Sequence, residues 1–258
     1  MSLSLSENNI NALKDLLYKM ADDQLIVGHR NSEWTGLGPI LEEDIAFSSM
    51  AQDKIGQSQH IYELLHQLGE SDPDTVAFTR NANQFHNCTL VELPMGEYDF
   101  ATLRHFWFDM AEAVRFNALK ESSYEPLAQV AKKFAGEIKY HTMHANTWLQ
   151  QLGNGTKESN DRMQSVINQH WNDALAIFEP GEYEDTLINE NIFIGEEACK
   201  QQWLDMITSL IEKAGLQLPD SADWKPAYGG RKGEHTVHLQ PLLSEMTEVY
   251  SIDPTADW

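Results

Sequence analysis

The apolar residues of this chain recur at intervals of three and four almost throughout, which is the period of an amphipathic helix. Leu13, Leu16, Leu17 and Met20 mark a first helix that the pattern carries to about Trp34. The stretch from Gly38 to Glu70 is the clearest helix. Pro39 stands where a first-turn proline belongs, Glu42, Glu43 and Asp44 lie near the positive end of the dipole, and Gly69 is a C-terminal stop. SDPDTVAFTRNANQF predicts a short helix, and NCTLVELPMGEYD an extended or looped segment broken by Pro94 and Gly96. Asp99 is a cap for a helix beginning at Phe100. Pro126 opens one continuous helix that Gly153 closes, and Thr156 caps the next. EPGEYEDTLINENIFIGEE is acidic and aperiodic, a long surface connection. EEACKQQWLDMITSLIEKAG returns to helical period and ends at Gly215. LQLPDSADWKPAYGGRKGE reads as a second irregular loop, and HTVHLQPLLSEMTEVYSI as a last helix kinked at Pro241.

The pattern contains no convincing strand and no low-complexity tract. It predicts an all-α protein: a ferritin-like bundle of about four long helices, with shorter flanking helices and two long irregular loops. At 258 residues and 41% hydrophobic content, the chain is expected to form one domain over 1–258 around a single core. The formal charge is −22, from 40 acidic and 18 basic residues. That balance argues against nucleic acid and anionic membrane surfaces as partners, both being polyanions. Cys88 and Cys199 lie far apart without CxxC spacing, so a reduced compartment is expected and a structural zinc site is not. The N-terminus lacks the basic start and apolar run of a signal peptide, and no stretch approaches the ~20 apolar residues that cross a bilayer. A cytoplasmic protein is the expectation.

The segment EIKYHTMH raises the question of metal. A di-iron bundle takes a carboxylate from each of two helices and a Glu-x-x-His pair from each of the other two. The two Glu-x-x-His pairs such a site needs are not both present: Glu63 and His66, near the end of the second helix, form one, and no second exists. Glu137 precedes His141 by four residues, and His141 and His144 share a helix face with no acid completing a pair. QDKIGQ offers Asp53, Lys54 and Gln57 on the long second helix. GGRKG at 229–233 has glycines able to cradle a phosphate, but lacks the phosphate-loop pattern and a preceding strand; a surface turn ordering the last helix is the plainer reading. His235 and His238 suit capping or interface roles. The aromatic run Phe106–Trp107–Phe108 cannot be wholly buried on one helix face, so part of it is expected at a partner interface.

Several stretches together resemble one family: VGHRNSEWTGLGPILEEDIA, IGQ, LVELPMG, EIKYH, LGNGT with RMQ, GGRKGEHTVHLQPLLSEM and the closing PTADW. Across nearly the whole chain they are similar to the structural, PaaC-type subunit of bacterial ring-1,2-phenylacetyl-CoA epoxidase. That family in turn resembles the catalytic subunit of the same enzyme, which keeps a di-iron centre. By this resemblance DKIGQ matches the first metal pair, with Lys54 in place of the liganding Glu and Gln57 in place of the His. EIKYH matches the second, with Ile138 in place of the Glu while His141 remains. Glu33 stands for the first-helix carboxylate, and Asp109 or Glu112 for the third-helix acid. The resemblance implies no catalytic, cofactor-binding or metal residues in this chain. It implies a di-iron centre in a partner subunit, further members of the complex including a reductase, and a supporting role in aerobic phenylacetate breakdown. If an acid remains at a lost ligand position, the Lys54 ammonium is expected within ion-pair distance of Glu33, Asp109 or Glu112. The rival readings are an active metalloprotein with an atypical site around Glu33, Asp53, Glu112, Glu137 and His141, and a regulatory or storage bundle that binds a small ligand.

Overall fold

Ser6 accepts a hydrogen bond from the Asn9 amide and starts the first helix, α1 (Glu7–Ser32). The computed structural model describes residues 6–254, which contain eleven α-helices and no strand. The others are α2 (Leu41–Gln67), α3 (Pro73–Phe78), α4 (Thr89–Glu92), α5 (Tyr98–Leu119), α6 (Glu125–Lys133), α7 (Ala135–Gly153), α8 (Lys157–Leu175), α9 (Glu184–Asn189), α10 (Glu196–Lys213) and α11 (Leu239–Met246). The PTADW motif lies outside the described residues apart from Pro254.

Helices α1 and α2 form an antiparallel pair: Thr35 meets Ser48, Ala21 meets Ser58, and Tyr18 meets Glu70. Helices α5 and α7 form a second, with Tyr98 against Trp148 and Phe116 against Phe134. Residues 68–97 cross over between the pairs and make α2 and α5 parallel. Glu43–Tyr98, Met50–His105 and Lys54–Asp109 all pair at one constant offset along the two helices. Two hairpins joined by one long crossover is the ferritin-like arrangement.

Helix α5 is the axis of the molecule. Helices α8 and α10 cover its remaining side, where Trp107, Trp171 and Trp203 pack in series and the Trp203 indole donates to the Trp107 carbonyl at 3.1 Å. Phe106, Trp107 and Phe108 are therefore all fully buried. The expected interface role for this run fails because α5 is enclosed on every side.

Other boundaries shift for local reasons. The helix expected to run unbroken from Pro126 to Gly153 is two, because Phe134 ends α6, starts α7 and is anchored against Phe116 and His60. Two of the segments expected to be irregular or extended contain a short helix. α4 is buried throughout, and α9 buries Leu187 ahead of Ile192 and Phe193. Pro39 lies just before Ile40, the N-cap of α2. Glu97 rather than Asp99 precedes α5. Pro241 falls in the first turn of α11, where its missing N–H has no partner to lose, so it makes no kink.

Candidate functional site

On α2, Phe47, Met50, Lys54 and Ile61 share the buried face at helical spacing, so a lysine stands in a row of core residues. The parallel register with α5 brings its ammonium to Asp109. Lys54 Nζ lies 2.7 Å from Oδ1, and both side chains are almost wholly enclosed. The ammonium also sits 4.9 Å over the Phe108 ring. The other Asp109 oxygen is 2.6 Å from His105 Nδ1, one turn earlier on α5. Burial alone would favour a protonated Asp109. His105 and Lys54 beside it outweigh that cost and hold the carboxyl far below the ordinary carboxylate range.

His141 reaches the same place from α7. Its Nδ1 is 3.8 Å from Asp109, and its Nε2 is 3.0 Å from Asp53, which is part-exposed on α2. Burial, helped by the Lys54 charge, lowers its pKa to about 3, so the ring is neutral at pH 7. It then donates one hydrogen bond, to Asp53. One turn along, Gln57 Nε2 donates to Glu137 at 2.8 Å, and Ile138 packs into the apolar core.

Of the three acids considered for Lys54, Asp109 is the partner. Glu112 lies one turn deeper, where it takes the Arg115 guanidinium at 2.5 Å and a hydrogen bond from Gln24 of α1. Glu33 is held apart from this centre. It follows the C-terminus of α1, pairs with Arg30 at 2.5 Å and is partly exposed. At the level of Lys54, α1 instead presents Gly28, where an added Cβ would come within 3.1 Å of the lysine Cβ.

A second buried charge cluster adjoins the first. Arg115 bridges Glu112 and Glu196 of α10, and Lys19 of α1 lies 2.5 Å from Glu196. Burial opposes ionisation of Glu196, but Arg115 and Lys19 bring its pKa down to about 2. At Glu112 burial prevails and raises it. Three cations thus face three acids inside the bundle: Lys54, Lys19 and Arg115 against Asp109, Glu112 and Glu196. Gln24, His105, Arg115 and Glu196 were not anticipated from the sequence. Their signal was charged or polar residues at core-face spacing, such as Glu112 and Arg115 within one turn of an apolar helix.

These side chains do not fit a pair of irons. Such a site needs converging anionic oxygens and imidazoles. Here an ammonium already neutralises Asp109, Gln57 offers its amide to Glu137, and Ile138 has no lone pair. The five residues of the alternative site do not converge either, since Glu33 and Glu112 are each taken by an arginine elsewhere. Among the described residues no group of three His, Cys, Asp or Glu side chains is disposed to hold a metal ion.

The GGRKG loop is closed from within. The Gly229 and Arg231 amides donate to Glu179 at 2.8 and 3.3 Å, occupying the place an anion would take. Arg231 is buried and pairs with both oxygens of Asp23 on α1. His235 presents one ring nitrogen to Glu92 and the other to the Phe85 carbonyl, at 2.9 and 3.0 Å. Burial works against its charge, but Glu92 prevails and raises its pKa. His238 is the N-cap residue of α11. Among the described residues no helix is long and apolar enough to cross a membrane.

Comparison with known proteins agrees with this layout. The chain is 33% identical over 250 residues to the PaaC-type subunit of the 1,2-phenylacetyl-CoA epoxidase of Escherichia coli (strain K12), covering 96% of this chain and all of the relative. It is 21% identical over 193 residues to the PaaA-type subunit of that enzyme, covering 72% of this chain and 62% of the relative. The family model described as phenylacetic acid catabolic protein matches residues 2–258. The chain belongs to the phenylacetic acid catabolic protein family.

Proposed function

We propose that this chain is the structural, PaaC-type subunit of a phenylacetyl-CoA epoxidase and carries out no redox chemistry itself. Its partner is a related, PaaA-type subunit that holds a di-iron centre, and a separate reductase supplies electrons to the complex. The chain's task is to bury one side of the catalytic bundle and keep the helices around the iron in place. Lys54, Gln57, Asp109, Ile138 and His141 stand at the positions of a former metal site, whereas Glu33 and Glu112 are each held by an arginine outside it.

The observation that carries this reading is the ion pair of Lys54 and Asp109 at 2.7 Å in the centre of the bundle. A lysine there supplies the positive charge that an iron would otherwise bring, so the remaining acid stays ionised without metal. The similarity to a PaaC-type relative over its full length supports the assignment. Two measurements test it. Anaerobic loading of the isolated chain with Fe(II), followed by elemental analysis, is expected to leave no stoichiometric iron; two irons per chain would overturn the reading. Co-expression with the PaaA-type counterpart from the same host is expected to give one complex by size exclusion. Two separate peaks at micromolar concentration would remove the partner assignment.

A further inference from the structure

The exposed apolar residues are not spread evenly. Seven of the thirteen large hydrophobic side chains exposed among the described residues lie on one side, formed by α2, the loop leading into it, and α7. Leu41, Ile45 and Met143 are 70%, 62% and 59% exposed, and Leu37, Ile55 and Tyr140 join them. α2 and α7 are neighbours along this side: His144 pairs with Glu43 at 3.0 Å, and the Tyr140 ring lies 6.3 Å from the His144 ring.

The same side is almost free of charge. From Ile45 to Tyr62 the charged residues are Asp53, which faces His141, and Lys54, which is buried. From Tyr140 to Thr156 there is no Asp, Glu, Lys or Arg at all. Glu42, Asp44 and Glu137 stand at the ends of these stretches, and between them the face carries one part-exposed acid, Asp53, in a chain with a formal charge of −22. Beside it, a groove of about 550 Å³ runs between α1 and α2, lined by small residues such as Gly28, Ser32, Thr35, Ser48, Ala51 and Gly56. Small residues let another helix approach closely, and an apolar centre depleted of charge is what distinguishes a protein interface from ordinary surface.

We infer that this α1–α2–α7 side is the docking face for the chain's PaaA-type counterpart, an inference that rests on the function proposed above. The occupant follows from charge and kinship. A second copy of this chain would bring together two surfaces rimmed by a large negative charge. A PaaA-type counterpart belongs to the same helical family and can offer helices of matching shape. The central anchors are Ile45 and Met143, with the small-residue groove receiving a helix ridge.

The test uses the full chain with its PaaA-type counterpart. Ile45→Glu combined with Met143→Glu places two charges at the centre of the face, while Ile188→Glu alters an exposed apolar residue on α9 as a control. Binding is measured by titration, with a thermal melt of each free chain. The double variant is expected to bind at least 100-fold more weakly with an unchanged melt, and the control within threefold of wild type. Hydroxyl-radical footprinting of the unmutated pair gives an independent reading should the double variant fold poorly: Met143 oxidation is expected to fall at least fivefold on complex formation, with Tyr228 unchanged. Double-variant binding within threefold of wild type, or Met143 equally oxidised in the complex, overturns the inference while leaving the proposed function standing. A wild-type homodimer that the glutamates dissociate overturns the choice of occupant. If the wild-type chain does not bind its counterpart at all, the proposed function fails, and this inference with it.

Discussion

Lys54 is as enclosed as any leucine in the core, and what keeps it there is a single carboxylate. Such a pair is not a large source of stability, because two desolvated charges lose nearly as much as their attraction returns. Breaking it from one side is different. Lys54→Met is expected to destabilise the fold by about 3–5 kcal/mol, since Asp109 then loses its ammonium partner and keeps beside it the imidazoles of His105 and His141. Adding Asp109→Asn should recover much of the loss. Urea denaturation of both variants decides the matter: equal losses in the single and double variants would show that the charges do not act as a pair. The pairing was expected because the resemblance set Lys54 at a lost ligand position, where a remaining acid would need a cation, and three acids were candidates. The choice among them was not. It depended on the parallel register of α2 with α5, set by the crossover rather than by any local pattern. Glu33 illustrates the limit, since its place beyond the C-terminus of α1 and beside Arg30 removes it from the centre.

Long helices were readable because each presents an apolar stripe for many turns; α1, α8 and α10 appear close to where periodicity and caps placed them. Of the short ones, α3 was expected from its segment, but α4 and α9 were not, since each contains too few residues to show a period. The division of α6 from α7 was also hidden: one buried aromatic ring, Phe134, sets it. The other end of α7 offers a test at this scale. Gly153 passes so close to the C-terminus of α10 that an added Cβ would stand 2.4 Å from the Ala214 carbonyl oxygen. That atom is backbone and cannot swing aside. Gly153→Ala is expected to cost about 1–3 kcal/mol by overpacking, although alanine is the better helix former. A midpoint of thermal unfolding equal to or above wild type would refute the close approach.

Two histidines give the whole molecule opposed responses to pH. His141, held near 3 by burial and Lys54, contributes stability that is complete above its ordinary value of 6.5 and lost as pH falls toward 3. His235, raised by Glu92 against the cost of burial, contributes stability that is complete below 6.5 and lost as pH rises through its folded value. Asp109, held low, adds to the acid side only below the ordinary carboxylate value of 3.8. The urea midpoint is therefore expected to peak near pH 6.5. Glu92→Gln should flatten the alkaline limb and leave the acid limb intact, whereas His141→Gln should make the acid limb shallower. An alkaline limb unchanged in Glu92→Gln would show that His235 carries no charge in the fold. The net charge was legible from composition, but which side it left uncharged was not, since that required knowing which helices lie on the outside.

The anchoring of Asp22 and Asp23 has a consequence for how the protein is made. These adjacent acids lie buried on α1. Their cations come much later: Arg80 for Asp22, and Arg231, 208 positions downstream, for Asp23. Until those arrive, closing the first hairpin against its neighbours would bury two unpaired charges. The α1–α2 hairpin thus has reason to stay open until the segment carrying Arg231 is delivered. Synthesis order becomes a built-in delay that keeps a partly made bundle from setting prematurely.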